Sequence, residues 1–157
     1  VVDRVKNFNG LVLATRDTHG GDYLQTQEGR KLPVEHCIRG TYGWEIREEI
    51  AELLESGPID KPTFGSETLG KVLKEFNKSE AIDSITLVGL CTDICVISNA
   101  MLLKAFLPEV PIIVDSLCCA GKPRESTGSH EGLPDRGNLN LIGGLRTGIK
   151  LGILFYK

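Results

Sequence analysis

The sequence predicts an α/β domain in three layers, with helices on both faces of a central parallel sheet. Three observations carry that expectation. Short apolar runs, Ile85 to Leu90 and Ile112 to Val114, read as strands buried on both faces. Segments of helical periodicity alternate with them. The stretch from Asp93 to about Phe106 is apolar on nearly every side, as a helix enclosed within a domain is.

The elements follow in order. Val1, Val2, Val5 and Phe8 fall at helical spacing and predict the end of an amphipathic helix, which Asn9-Gly10 closes. Leu11 to Thr15 is a short apolar strand. Residues 16–39 are polar and carry Gly20, Gly21 and Gly29, so they read as a structured loop region. Loops of such length are usually functional. Trp44 to Ser56 predicts a helix with Ile46, Ile50, Leu53 and Leu54 on one face and Glu45, Glu48 and Glu49 in its first turns. Gly57-Pro58 ends it. Ser66 can cap a helix to about Phe76, with Leu69, Val72, Leu73 and Phe76 inward. The strand at 85–90 leads into the helix from Asp93. Pro108 and Pro111 bound the next turn, and another strand follows within 111–119. Past Gly121 the periodicity decays, and only Ile153 to Tyr156 reads as a last strand. There is no internal repeat.

At 157 residues, with 41% apolar and 25% charged, the chain is one domain, residues 1–157. A net charge of −3 without a basic block argues against a nucleic-acid partner. No apolar run approaches the roughly 20 residues of a membrane span, so no membrane partner is expected. Cys118 and Cys119 are adjacent and point to opposite faces of a strand, which argues against a disulfide framework among the five cysteines. A reducing, cytoplasmic setting fits them. There is no signal-peptide pattern. The lack of an initiator Met predicts a start inside a longer protein.

Gly89-Leu90-Cys91-Thr92-Asp93-Ile94-Cys95-Val96 is the most informative stretch. Cys95 falls at the start of a helix that follows a buried strand. A thiol there meets unpaired backbone N–H groups and the positive end of the helix, which favours a thiolate nucleophile at the carboxyl edge of a parallel sheet. The plain alternative is a buried small residue. Asp17-Thr18-His19 follows the strand at 11–15. Positions i and i+2 project the same way, so Asp17 and His19 can chelate one cation and His36 can close the set. One carboxylate and two imidazoles suit zinc, iron or manganese; equally, such a pattern can be an accident of a turn. Cys37 reads as packing. Lys61 is either a solvated charge or, folded inward, an ammonium that stabilises charge developing near Cys95. His130 carries no assigned role.

These pieces occur together, in this order, in one family. Thr15-Arg16-Asp17-Thr18-His19, His36-Cys37-Ile38-Arg39-Gly40-Thr41-Tyr42-Gly43-Trp44-Glu45, Asp60-Lys61-Pro62-Thr63-Phe64-Gly65-Ser66 and Val88 to Val96 resemble the isochorismatase-like cysteine hydrolases, and within them the nicotinamidases. The resemblance covers about residues 1–121 and leaves 122–157 divergent. It implies a Rossmann-like α/β/α fold that lacks the family's first strand and has an atypical C-terminal tail. It implies that Cys95 attacks an amide carbonyl and becomes a thioester, and that Lys61 polarises the site. It further implies that Asp17, His19 and His36 hold a divalent metal, zinc before iron or manganese. A cis peptide between Leu90 and Cys91 would go with an oxyanion hole formed by the N–H groups of Cys91 and Cys95. The implied activity converts nicotinamide or a similar small amide to acid and ammonia, with a place in pyridine nucleotide salvage for NAD.

The chain also departs from the family. The family's triad Asp ends its first strand, and Asp3 lies too close to Asp17 to be that residue, so the catalytic Asp is expected to be absent. Pro33 stands where nicotinamidases often carry a Trp. The alternatives are therefore a catalytically impaired fragment or non-catalytic relative that keeps the fold and a metal or ligand site, and an isochorismatase-type hydrolase. A fragment without the first strand is expected to expose a sheet edge and to favour a homo-oligomer.

Overall fold

The computed structural model describes residues 1–121, 139–140 and 148–156. The apolar runs assemble into a sheet with the strand order β2-β1-β6-β3-β4-β5. These are β1 (Leu11–Asp17), β2 (Ile59–Lys61), β3 (Ile82–Leu90), β4 (Ile112–Ala120), β5 (Leu139–Asn140) and β6 (Ile149–Tyr156). The first five in that order run parallel, and β5 pairs antiparallel on the outer edge of β4. The helices are α1 (Val2–Lys6), α2 (Gln27–Lys31), α3 (Glu48–Ala51), α4 (Glu67–Ser79) and α5 (Ile97–Phe106).

The three-layer expectation holds, and the strand alternation explains it. Ile85, Leu87, Leu151 and Ile153 point to one face, where Leu69 and Leu73 of α4 and Ala100 and Leu103 of α5 complete the main core. Their neighbours Val88, Leu154 and Ala14 point to the other face and pack with Ile46 and Ile50 around α3. On that same face, Arg4 of α1 pairs with the buried Asp115 at 2.8 Å. Ser66 caps α4 as expected, its Oγ accepting from the Leu69 N–H at 3.1 Å.

Three expectations need correction. The helix predicted over Trp44 to Ser56 shrinks to Glu48–Ala51, because Trp44 is held away from it by side-chain contacts described below. The helix expected from Asp93 begins with a π-helical turn, Thr92–Val96, before α5. The open edge expected from a missing first strand is filled. β6 lies between β1 and β3, with Leu13 and Leu87 both beside Ile153. His130 lies outside the described residues.

This order creates a switch point. From β1 the chain moves outward to β2, then crosses β6 to reach β3 and moves outward to β4. In open parallel sheets, ligands bind beyond the carboxyl ends of the strands at such a reversal. Asp17 ends β1, Lys61 ends β2, and the turn bearing Cys95 follows β3. No described helix is long and apolar enough to cross a membrane.

Candidate active site

Asp17 and Lys61 are cross-strand partners in the β1–β2 register, so their side chains leave the sheet together. Lys61 Nζ donates to Asp17 Oδ1 in a buried ion pair, the lysine side chain being 0% exposed. The same Nζ lies 3.4 Å from Cys95 Sγ, and Cys95 Sγ lies 3.8 Å from Asp17 Oδ2. Both oxygens of Asp17 therefore face this centre. Removing two charges from water is costly, and a buried ion pair is weak evidence for stability. A pair kept against that cost beside a sulfur is a candidate for chemistry.

Local geometry delivers the sulfur. Gly89 takes φ +113°, and the Leu90–Cys91 peptide is cis. The Cys91 carbonyl then accepts from the N–H groups of Ile94 and Val96, at 3.2 and 3.1 Å, which winds the turn wide. Cys95 emerges on the main-core side, fully buried and facing Lys61 and Asp17. Cys91 begins the same turn and is half-exposed. One buried side chain binds this turn to the loop after Lys61. Asn99 Oδ1 accepts from the Ser66 N–H at 2.8 Å, and Asn99 Nδ2 donates to the carbonyls of Phe64 and Cys95 at 2.9 and 2.7 Å.

The histidines form a second cluster. One donor atom each from His19, Glu28 and His36 lies within 4.8 Å of the others. Tyr23, fully buried, packs its ring against both imidazoles, with centroids 4.7 Å from His19 and 5.0 Å from His36. His36 Nδ1 lies 2.8 Å from the Val34 carbonyl. A carbonyl only accepts, so that contact places a proton on Nδ1, and in the neutral imidazole Nε2 then keeps its lone pair. Nε2 is buried without a hydrogen-bond partner, 3.8 Å from Glu28 Oε1. A fixed imidazole tautomer aimed at a carboxylate and a second imidazole fits a divalent cation. The expected ligands His19 and His36 thus come together, whereas Asp17 is engaged by Lys61. Glu28 enters in addition. Thr26 caps α2, its Oγ1 accepting from the Gly29 N–H at 3.0 Å, which sets Glu28 on the first turn. The reading of residues 16–39 as a loop region misses both this short helix and the aim of Glu28.

A cavity of about 620 Å³ opens beside His19 and Glu28. Pro62 and Ile94 also line it, with Leu32 and Phe64 supplying apolar surface. Pro62 and Ile94 are the chain neighbours of Lys61 and Cys95. All five cysteines are free thiols.

The family model of the isochorismatase domain matches residues 1–131. No curated protein and no solved structure matches the chain. The chain belongs to the isochorismatase domain family, a family of hydrolases.

Proposed function

We propose that the chain is a cysteine-dependent amidohydrolase acting on a small amide, with nicotinamide as the leading candidate. The observation that carries this reading is the convergence of Asp17, Lys61 and Cys95 at one carboxyl edge of the sheet. Cys95 Sγ is the nucleophile, and its proton passes to Asp17 Oδ2 as sulfur attacks the amide carbonyl. The carbonyl oxygen becomes an oxyanion, for which the N–H groups of Cys91 and Cys95 serve as donors. Lys61 stabilises the growing negative charge. Asp17 returns the proton to the departing ammonia, leaving a thioester on Cys95. Water then attacks the thioester, giving the carboxylic acid and the free thiol. In this reading Asp17 does the work of the carboxylate expected to be absent.

His19, Glu28 and His36 are the residues that would hold a divalent cation, zinc before iron or manganese. When bound, the ion supplies a Lewis-acidic anchor for a ring nitrogen or a water beside the cavity. The cavity's volume suits a drug-sized or smaller ligand. Leu32 and Phe64 suit the faces of a planar ring.

The test is ammonia release from nicotinamide by the full chain, by Cys95→Ala and by Asp17→Asn, with and without chelator. Cys95→Ala should be inactive, and Asp17→Asn should lose about 10²- to 10⁴-fold, the usual share of acid–base help. Turnover that survives Cys95→Ala refutes the nucleophile. Indifference to chelator refutes the metal's part. A wild type that binds zinc yet releases no ammonia points instead to a non-catalytic relative, or to another substrate such as a vinyl ether.

A further inference from the structure

The Asp17–Lys61 pair depends on a very short ladder. β2 has three residues and, among the described residues, lies at the sheet edge and pairs only with β1, in the register Thr15↔Ile59, Arg16↔Asp60, Asp17↔Lys61. Side chains alternate along a strand, so a slip of one residue would turn Lys61 to the opposite face and away from Cys95. Three rungs of backbone pairing resist such a slip weakly. Something else must hold it.

The opposite face carries the candidate. Arg16 and Asp60, the cross-strand pair just before Asp17 and Lys61, are joined there by a guanidinium fork. Arg16 Nε and Nη2 each lie 3.0 Å from Asp60 Oδ1. Arg39 Nη1 takes the other oxygen, Oδ2, at 2.9 Å. The Arg16 guanidinium lies on the Trp44 ring, 3.4 Å from its centroid, and Arg39 approaches the same ring at 5.5 Å. Trp44 Nε1 donates to Thr18 Oγ1 at 2.9 Å, and that hydroxyl donates to the Arg16 carbonyl at 3.3 Å. The Arg39 N–H donates to the His19 carbonyl at 3.0 Å. One carboxylate thus ties β1, β2 and the segment bearing His36 to each other.

We infer that the Asp60 carboxylate, gripped by Arg16 and Arg39, is the positioning group that holds β2 in register and keeps Lys61 within reach of Cys95. Ordinary surface ion pairs contribute little. This one differs in kind. The Arg16 side chain is only 11% exposed, two of its nitrogens converge on one carboxylate oxygen while Arg39 holds the other, and its flat face is fixed by an indole. Lysine has neither the fork nor the face, so it cannot replace Arg16 here. Asp60 touches no reacting atom. Its effect passes through Lys61, the next residue in the chain. The kinetic consequence rests on the amidase reading; the structural one does not.

The experiment compares the full-length chain with Asp60→Asn, Asp60→Glu and Arg39→Ala. Lys61 protection is read by reductive methylation and peptide mass spectrometry, with the exposed Lys78 as internal reference and the melting temperature recorded for each. In the wild type, Lys61 is protected. In Asp60→Asn it should be methylated severalfold faster relative to Lys78, at a temperature where the variant remains folded. Arg39→Ala should lie between the two, and it keeps the idea testable if Asp60→Asn does not fold. Asp60→Glu keeps the charge and should restore protection. Where nicotinamide is turned over, kcat in Asp60→Asn should fall by up to about a hundredfold, the scale of a misplaced group, with KM little changed. Unchanged Lys61 protection in Asp60→Asn overturns the inference, whatever happens to the melting temperature. So does Asp60→Glu behaving like Asp60→Asn. A wild type without turnover would sink the amidase reading and leave the methylation result to decide this one.

Discussion

Asn99 offers the sharpest test of how the site is held. It is fully buried in the first turn of α5 and makes three hydrogen bonds, to the Ser66 N–H and to the carbonyls of Phe64 and Cys95. Only one amide orientation satisfies all three, with Oδ1 toward the N–H and Nδ2 toward the two carbonyls. Asn99→Ala strands the buried Ser66 N–H and takes the donor from the more exposed Phe64 carbonyl. An unsatisfied buried group costs about 1–3 kcal/mol and a lost hydrogen bond about 1 kcal/mol, so the variant should lose about 2–4 kcal/mol. That is a large part of the roughly 5–15 kcal/mol that holds a domain folded. The assay is urea unfolding of the whole chain, in which the midpoint should fall while the slope stays the same. Asn99→Asp is the discriminating companion. Its carboxylate still accepts from Ser66 but faces two carbonyls with no donor, so it should be destabilised despite being nearly isosteric. A loss below about 1 kcal/mol in Asn99→Ala would refute the reasoning, since one net hydrogen bond alone is worth that much. It would mean that the loop after Lys61 is held to the Cys95 turn by packing.

Two further outcomes rest on the packing of β3 against its neighbours. At Gly89 an added Cβ would sit 2.1 Å from the Phe155 carbonyl oxygen of β6, and φ is +113°. Gly89→Ala should therefore cost more than the roughly 1–3 kcal/mol of backbone strain alone, read as a lower unfolding midpoint; a shift under about 1 kcal/mol would contradict the placement of β6. Burial pushes the Cys119 thiol up from its ordinary range, with the nearby charges of Asp115 and Cys118 adding to it and a hydrogen bond at Gly89 opposing it. The folded state then holds that proton more tightly than the unfolded chain does. Its contribution is complete below the free-thiol value of about 8.5 and is lost as pH rises through the raised value. Wild type should accordingly lose stability faster than Cys119→Ala between neutral and alkaline pH, and parallel curves would contradict it.

What could be read ahead of the structure divides along physical lines. The strands at 11–15, 85–90 and within 111–119 were legible because burial on both faces writes itself as an apolar run, while their polar extensions to Asp17, back to Ile82 and on to Ala120 were not. The cap at Ser66 was legible because it is local. The helix from Trp44 was not, because its start is decided at long range. Arg16 lies against Trp44, and Thr18 takes the indole N–H. Arg47 is left at φ −52°, ψ 137°, outside helical geometry, so only Glu48–Ala51 winds. The last strand was seen at 153–156, but its place between β1 and β3 is a pairing across the whole chain that no local pattern encodes. Lys61 shows the same limit in a single residue. Its neighbours in sequence suit a solvated charge equally well. It turns inward because it stands opposite Asp17 at the end of a parallel pair.

Asp17 is where these levels meet. By pattern it belongs with His19, since residues two apart on a strand share a face. The strand, however, ends at Asp17. Beyond it, Thr18 N–H bonds to the Lys61 carbonyl, while His19 bonds through both N–H and C=O to Cys37 and Arg39. The backbone thus hands His19 over to the segment carrying His36 and leaves Asp17 to β2. The carboxylate meets the lysine, the imidazole meets its partner imidazole, and Glu28 supplies the acidic oxygen that the histidines would otherwise lack. Two adjacent centres arise from three consecutive residues because the hydrogen-bonding partner changes between them. The cavity joins these levels: it is lined by His19 and Glu28 of the second centre and by Pro62 and Ile94, the chain neighbours of Lys61 and Cys95 in the first.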